Sequence, residues 1–177
     1  MRKITSWKPT MTEAEARAWN SDSKYKDFVY HRTWRRSVEG IKEQGFMLPK
    51  ISRRGKYNVP RYFSFSSKPD NANVSYGNVL LTCAIRVHNP VPPSVFNPLQ
   101  DKIFAKYRRL FAKQFGTTWK KLTHKQQMDF FDTQYFFDLG TERAKKLKKN
   151  YDSMVWHESD IWVFNKESIT VVGQKDI

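Results

Sequence analysis

Residues 79–87 read VLLTCAIRV, a run in which only Thr82 and Arg86 are strongly polar. Side chains on a strand alternate between its two faces, so a run apolar at both parities belongs to a strand covered on both sides. No apolar run in the chain approaches the roughly 20 residues that a membrane-spanning helix needs. Pro90, Pro92 and Pro93 close the run, because proline has no N–H to give to a sheet ladder. A buried strand is therefore expected here, with other elements on either face.

The flanking segments supply candidates. Thr10 or Thr12 caps a first helix reaching about Trp19, and Thr10 with Glu13 matches a capping box. Asn20 to Ser23 break it, because their side chains compete for backbone groups. Phe28 to Tyr30 reads as a strand ending at His31-Arg32-Thr33. Thr33 to Gly45 reads as a helix with Val38, Ile41 and Phe46 near one face and Gly45 just past its end. Pro49 to Asn58 is a basic loop, and Arg61 to Ser66 is an aromatic-rich strand. Pro69-Asp70-Asn71 starts a turn or short helix ending near Tyr76-Gly77.

Helical spacing dominates the next segment. Ile103, Phe104, Tyr107, Leu110, Phe111 and Phe115 recur at that spacing between Asp101 and Phe115. Thr123 and Gln126 form a capping box that opens a helix through Met128, Phe130 and Phe131, and Thr141 to Lys149 is a basic helical stretch. Three strands follow: Ser153 to Trp156, Ile161 to Phe164, and Ile169 to Val172. Strands at both ends with helices between them predict an α+β fold. One domain over 1–177, with a basic helical insertion at about 95–149, is expected.

The charge is lopsided: 32 Lys and Arg against 17 Asp and Glu leave +15, with aromatics at 15%. That aromatic content excludes ordinary disorder. The excess of cations predicts an anionic partner. Cys83 is the one cysteine, which excludes an internal disulfide framework and a Cys-cluster zinc site, and its apolar surroundings point to core. MRKITSWKPT carries positive charge without an apolar stretch after it, so no secretory signal is expected and the location is read as cytoplasmic.

An ordered set of motifs adds a family likeness. FVYHRT (28–33), EGIKEQGF (39–46), RYFSFSS (61–67), NANVSYG (71–77) and YDSMVW…DIWVFN…SITVVG (151–173) occur in that order. Together they resemble the ADP-ribosyltransferase superfamily. The closer branch holds diphtheria toxin, the poly(ADP-ribose) polymerases and many small phage and bacterial proteins. The likeness covers residues 12–88 and 136–173 and leaves the middle insertion unexplained. It implies a split antiparallel β-sheet fold that binds NAD as co-substrate and uses no metal. The implied activity is cleavage of the nicotinamide–ribose bond and transfer of ADP-ribose to a macromolecular acceptor.

The resemblance also assigns roles. His31 matches the histidine that hydrogen-bonds a ribose of NAD; imidazole donates and accepts at once. Arg32 stands where the family usually has glycine, with its backbone near the nicotinamide amide and its side chain turned away or onto a phosphate. Thr33 either binds ligand or caps the following helix. Tyr62 matches the tyrosine of the family's His-Tyr-Glu set, and Tyr76, four residues after Ala72, matches the second ring of the nicotinamide sandwich. Alternation puts Tyr62 and Ser64 on one face of their strand, taken as the ligand face, and Phe63 and Phe65 on the other. Arg53 and Arg54 lie in the loop that would face the pyrophosphate.

Asp160 falls where the family has its catalytic glutamate, and Glu158 lies two residues earlier, so Glu158-Ser159-Asp160 reads as Glu-x-Glu with a shortened second acid. Losing one methylene shortens the reach by somewhat more than about 1 Å. Either acid is a candidate for the working carboxylate. Ser64-Phe65-Ser66 and Arg32 also resemble the Ser-Thr-Ser and strand-end arginine of the arginine-modifying toxins.

The cations of the insertion, interleaved with Tyr107, Trp119 and Tyr151, predict RNA or DNA as the acceptor or its carrier. A toxin-like role leaves room for an antitoxin or inhibitor as a further partner. The competing readings are a non-enzymatic or weakly active nucleic-acid-binding module on a degenerate transferase fold, and an NAD-dependent RNA 2′-phosphotransferase.

Overall fold

A computed structural model of the chain describes residues 6–47, 62–72, 77–156 and 160–177. It is a mixed α+β structure with two small antiparallel sheets and five α-helices among the described residues. The chain divides into two compact units: Met1–Met47, Tyr62–Val91 and Asn150–Ile177 form one, and Leu48–Arg61 with Pro92–Lys149 form the other.

The first unit holds the six strands found among the described residues. Val29–Thr33 (β1), Val79–Ile85 (β3) and Ile169–Asp176 (β6) make one antiparallel sheet in the order β1-β3-β6. The apolar run thus occupies the central position, and all its strand residues except Thr82 are buried. Arg86, one residue past β3, escapes the core by a bidentate pair with Asp22 at 2.8 and 3.0 Å. Phe63–Phe65 (β2), Ser153–Trp156 (β4) and Asp160–Val163 (β5) make the second antiparallel sheet, in the order β2-β5-β4. Tyr30 and Ser66 join the two sheets by exchanging N–H···O bonds of 2.8 Å each. Several strand boundaries differ from expectation: β2 is shorter, β3 ends at Ile85 and not Val87, β5 starts at Asp160 and ends before Phe164, and β6 continues to Asp176.

Glu13–Trp19 (α1) opens on Thr12, and the capping box is Thr12 with Glu15, in place of the expected Thr10 with Glu13. The Thr10 hydroxyl instead donates to the Lys42 carbonyl at 2.9 Å. Trp19 and Ala16 from α1 pack with Met11 and with Ala84 of β3, so this helix covers one face of the first sheet. Arg35–Gln44 (α2) buries Val38 and stops at Gly45, whose φ of 77° only glycine adopts without strain.

The second unit is helical. Pro93–Lys113 (α3) begins eight residues before the expected Asp101. Pro93 starts this helix instead of merely ending the strand before it: proline at the first helical position gives up an N–H that has no partner there anyway. Thr123 and Gln126 make the expected capping box at the head of His124–Asp129 (α4), but Phe130–Asp132 is a separate 3-10 turn. Gln134–Leu147 (α5) starts seven residues before Thr141. Ile103, Tyr107, Phe111, Leu122, Phe130 and Leu139 close this unit's own core.

Candidate active site

The site grows from the junction between β1 and β2. One residue past the Tyr30–Ser66 bridge, His31 Nδ1 lies 2.9 Å from the carbonyl oxygen of Ser64. A carbonyl only accepts, so Nδ1 carries the proton and neutral His31 presents Nε2 as an acceptor. Phe46 meets the ring edge-on at 5.0 Å and Phe65 flanks it at 5.6 Å. Burial lowers the His31 pKa below the ordinary histidine value, and the Ser64 bond opposes that shift. The ring is therefore neutral at pH 7.

Ser64 does a second thing with its side chain. It is exposed between buried Phe63 and Phe65, as strand alternation requires. Its hydroxyl donates to Asp160 Oδ1 at 2.9 Å. The other carboxylate oxygen, Oδ2, accepts from the indole N–H of Trp162 at 3.0 Å. Trp162 is directly opposite Ser64 in the β2–β5 register, and its ring stacks on Tyr62 at 3.8 Å and 11°. Tyr62, Ser64, Asp160 and Trp162 thus share one face of the second sheet, and Ser64 connects that face to His31.

The other expected residues are placed as follows. Arg32 pairs with Leu80 inside β1, so its side chain leaves the strand on the face opposite His31 and does not join the cluster. Among the described residues its Nε is buried without a hydrogen-bond partner. Thr33 is buried at the end of β1 and does not cap α2, whose N-cap is Trp34 with no side-chain bond. Arg53, Arg54, Tyr76 and Glu158 lie outside the described residues.

Trp162 is the residue that sequence reasoning missed. Asp160 and Trp162 sit two apart in a strand, and that spacing alone puts them on one face. An aromatic at strand spacing is more often core, so the sequence by itself does not single Trp162 out. Cys83 is buried as expected, and burial drives its thiol pKa up, away from nucleophilic use. Among the described residues no group of three or more His, Cys, Asp or Glu side chains is placed to hold a metal ion. No helix among them is long and apolar enough to cross a membrane.

What this arrangement can do chemically is limited and specific. It offers a neutral acceptor at His31 Nε2, a carboxylate held by two donors, and an aromatic pair beside that carboxylate. No protein-family model matches the sequence, and no match is found among curated proteins.

Proposed function

We propose that this protein is an NAD-dependent mono-ADP-ribosyltransferase acting on a macromolecular acceptor. One observation carries the reading: Ser64 ties His31 through its backbone and Asp160 through its side chain at the junction of two three-stranded sheets. The ordered motifs nominated these residues from segments far apart in the chain.

NAD supplies an activated ribose whose bond to nicotinamide breaks with the electrons leaving on the ring. In this reading His31 Nε2 accepts from a ribose hydroxyl and orients the dinucleotide. Asp160 stabilises the positive charge that develops on the ribose, as a fixed carboxylate does best in a preorganised setting. Ser64 and Trp162 each occupy one lone pair of a carboxylate oxygen, and each oxygen keeps another for a substrate hydroxyl. Tyr62, stacked on Trp162, gives the flat apolar surface beside that carboxylate. The position of Arg32 on the opposite face of β1 favours the histidine branch over the arginine-modifying one.

A weakly active module is the second reading. It is favoured by Asp160 being an aspartate, since a misplacement of about 1 Å costs on the order of 100-fold in rate. Nicotinamide release from labelled NAD, with protein and nucleic-acid acceptors present, tests both. The transferase reading expects release that drops on the order of 100-fold in Asp160→Asn and survives in Glu158→Ala. The reverse order moves the carboxylate role to Glu158. Absence of release, or full activity in the double variant, rejects the transferase assignment.

A further inference from the structure

The charge of this chain is concentrated in one stretch. Residues 92–149 carry 13 Lys and Arg against 5 Asp and Glu, and residues 48–61 carry 5 cations and no acid. The remaining 105 residues hold 14 cations and 12 acids, so they are nearly balanced. More than half of the net +15 therefore lies in the helical segment.

Within that segment the cations are aligned. Lys102, Lys106, Arg109 and Lys113 fall at i, i+4, i+7 and i+11 on α3, and all four are exposed. At 3.6 residues per turn they fall within a narrow arc, rising about 16 Å along the helix axis from the first to the last. The opposite side of α3 is committed to the core through Ile103, Tyr107 and Phe111. The stripe extends to α5 through a single acid: Glu142 takes Lys106 at 2.6 Å and Lys146 at 3.1 Å.

The stripe does not serve the helix. Like charges three and four residues apart destabilise a helix, and here three such neighbours follow one another. Lys113 lies in the last turn of α3, where the dipole favours a cation, but Lys102, Lys106 and Arg109 do not. Asp101 is the only acid in α3 and lies outside the arc. Among the described residues Lys106 is the one member of the row paired with an acid, and a row of cations at regular spacing is complementary to a polyanion.

We propose that this two-helix face binds the phosphate backbone of a polynucleotide. The occupant is a nucleic acid and not a lipid surface, because Ile103, Tyr107 and Phe111 of α3 are spent in the core and Val95 and Leu110 are the only large apolar side chains that the helix leaves exposed, too little to enter a bilayer. It is read by charge and not by base stacking. Tyr107 is buried in the unit's core, and Trp119 packs against that core with the Arg108 guanidinium 4.7 Å over its ring. Two of the three aromatics that the sequence offered for stacking are therefore already committed.

The test is binding of the full chain to a fluorescein-labelled 20-nucleotide DNA strand and to its duplex, followed by anisotropy across a salt series. The wild type is expected to bind at least one form, with affinity falling steeply as salt rises. Lys102→Gln/Arg109→Gln/Lys113→Gln is expected to weaken binding at least tenfold and to flatten the log–log salt slope by about 2. The Tyr107 hydroxyl also donates to Glu142; Glu142→Gln keeps that acceptor but removes the neutralising charge, and is expected to tighten binding several-fold. That opposite sign separates an electrostatic face from damage to the fold, which only weakens binding. Unchanged affinity and slope in the triple variant overturn the proposal. So does binding of polyglutamate or of anionic phosphatidylserine vesicles at least as tightly as DNA, which would mark a protein or membrane partner instead.

Discussion

The Ser64 hydroxyl donates a 2.9 Å hydrogen bond to the Asp160 carboxylate across 96 residues of chain. The same residue accepts from His31 with its backbone carbonyl. Because one bond is made by the side chain and the other by the main chain, a substitution can remove the first and leave the second. Ser64→Ala is expected to lower the rate of nicotinamide release about tenfold through kcat. Stability should change by less than about 1 kcal/mol, since the side chain is exposed. Parallel kinetic and urea-unfolding measurements check both halves. An unchanged kcat removes Ser64 from the site.

Trp162 has two roles that separate chemically. Its ring stacks on Tyr62 and its indole N–H donates to Asp160. Trp162→Phe keeps an aromatic ring against Tyr62 and deletes the donor, at a cost of about 1 kcal/mol. The loss in turnover should resemble that of Ser64→Ala. In the double variant the two effects should fail to add, because both residues act on one carboxylate. Strictly additive losses would show that they act independently.

His31 gives a pH dependence of defined sign. Burial lowers its pKa in the folded protein below 6.5, so the unfolded chain takes up the proton first as pH falls. The stability that goes with neutral His31 is complete above pH 6.5 and is lost as pH drops through the folded-state value. The urea midpoint of the wild type should therefore fall between pH 7 and pH 5 by more than that of His31→Gln. Equal falls would mean that His31 titrates alike in both states.

Two glycines predict opposite outcomes. Gly77 has φ of 125°, and a Cβ there would overlap the Thr33 carbonyl. Gly77→Ala should destabilise by more than about 1 kcal/mol and lower Tm by at least about 2–4 °C. Gly40 lies inside α2 with nothing within 4 Å of an added Cβ. Gly40→Ala should stabilise by about 0.5–1 kcal/mol. Thermal melts of the two variants decide each case.

Much of the local structure is legible in the sequence because it depends on near neighbours. The apolar run at 79–85, the Thr123–Gln126 box and the Gly45 stop each follow from residues within a few positions. Errors arise where local signals compete. Thr10 and Thr12 both have a glutamate three residues on; Met11 and Ala16 pack into the core and the Thr10 hydroxyl is committed to the Lys42 carbonyl, which leaves Thr12 as the cap. Pro92 and Pro93 both end an extended segment and start a helix, and the core formed by Ile103, Tyr107 and Phe111 is what carries α3 back to them.

The sequence alone determined that a buried strand exists at 79–85, that the aromatic strand expected at 61–66 alternates, and that the cations cluster in the middle of the chain. It also nominated His31, Tyr62, Ser64 and Asp160. Tertiary structure alone decided that Ser64 connects the histidine to the carboxylate and that Trp162 holds the other oxygen. It also joined the cation row of α3 to α5 through Glu142, which takes Lys106 and Lys146. The reason is physical. Periodicity assigns a side chain to a face of its own element, whereas which faces meet is set by strand register and core packing between segments distant in the chain.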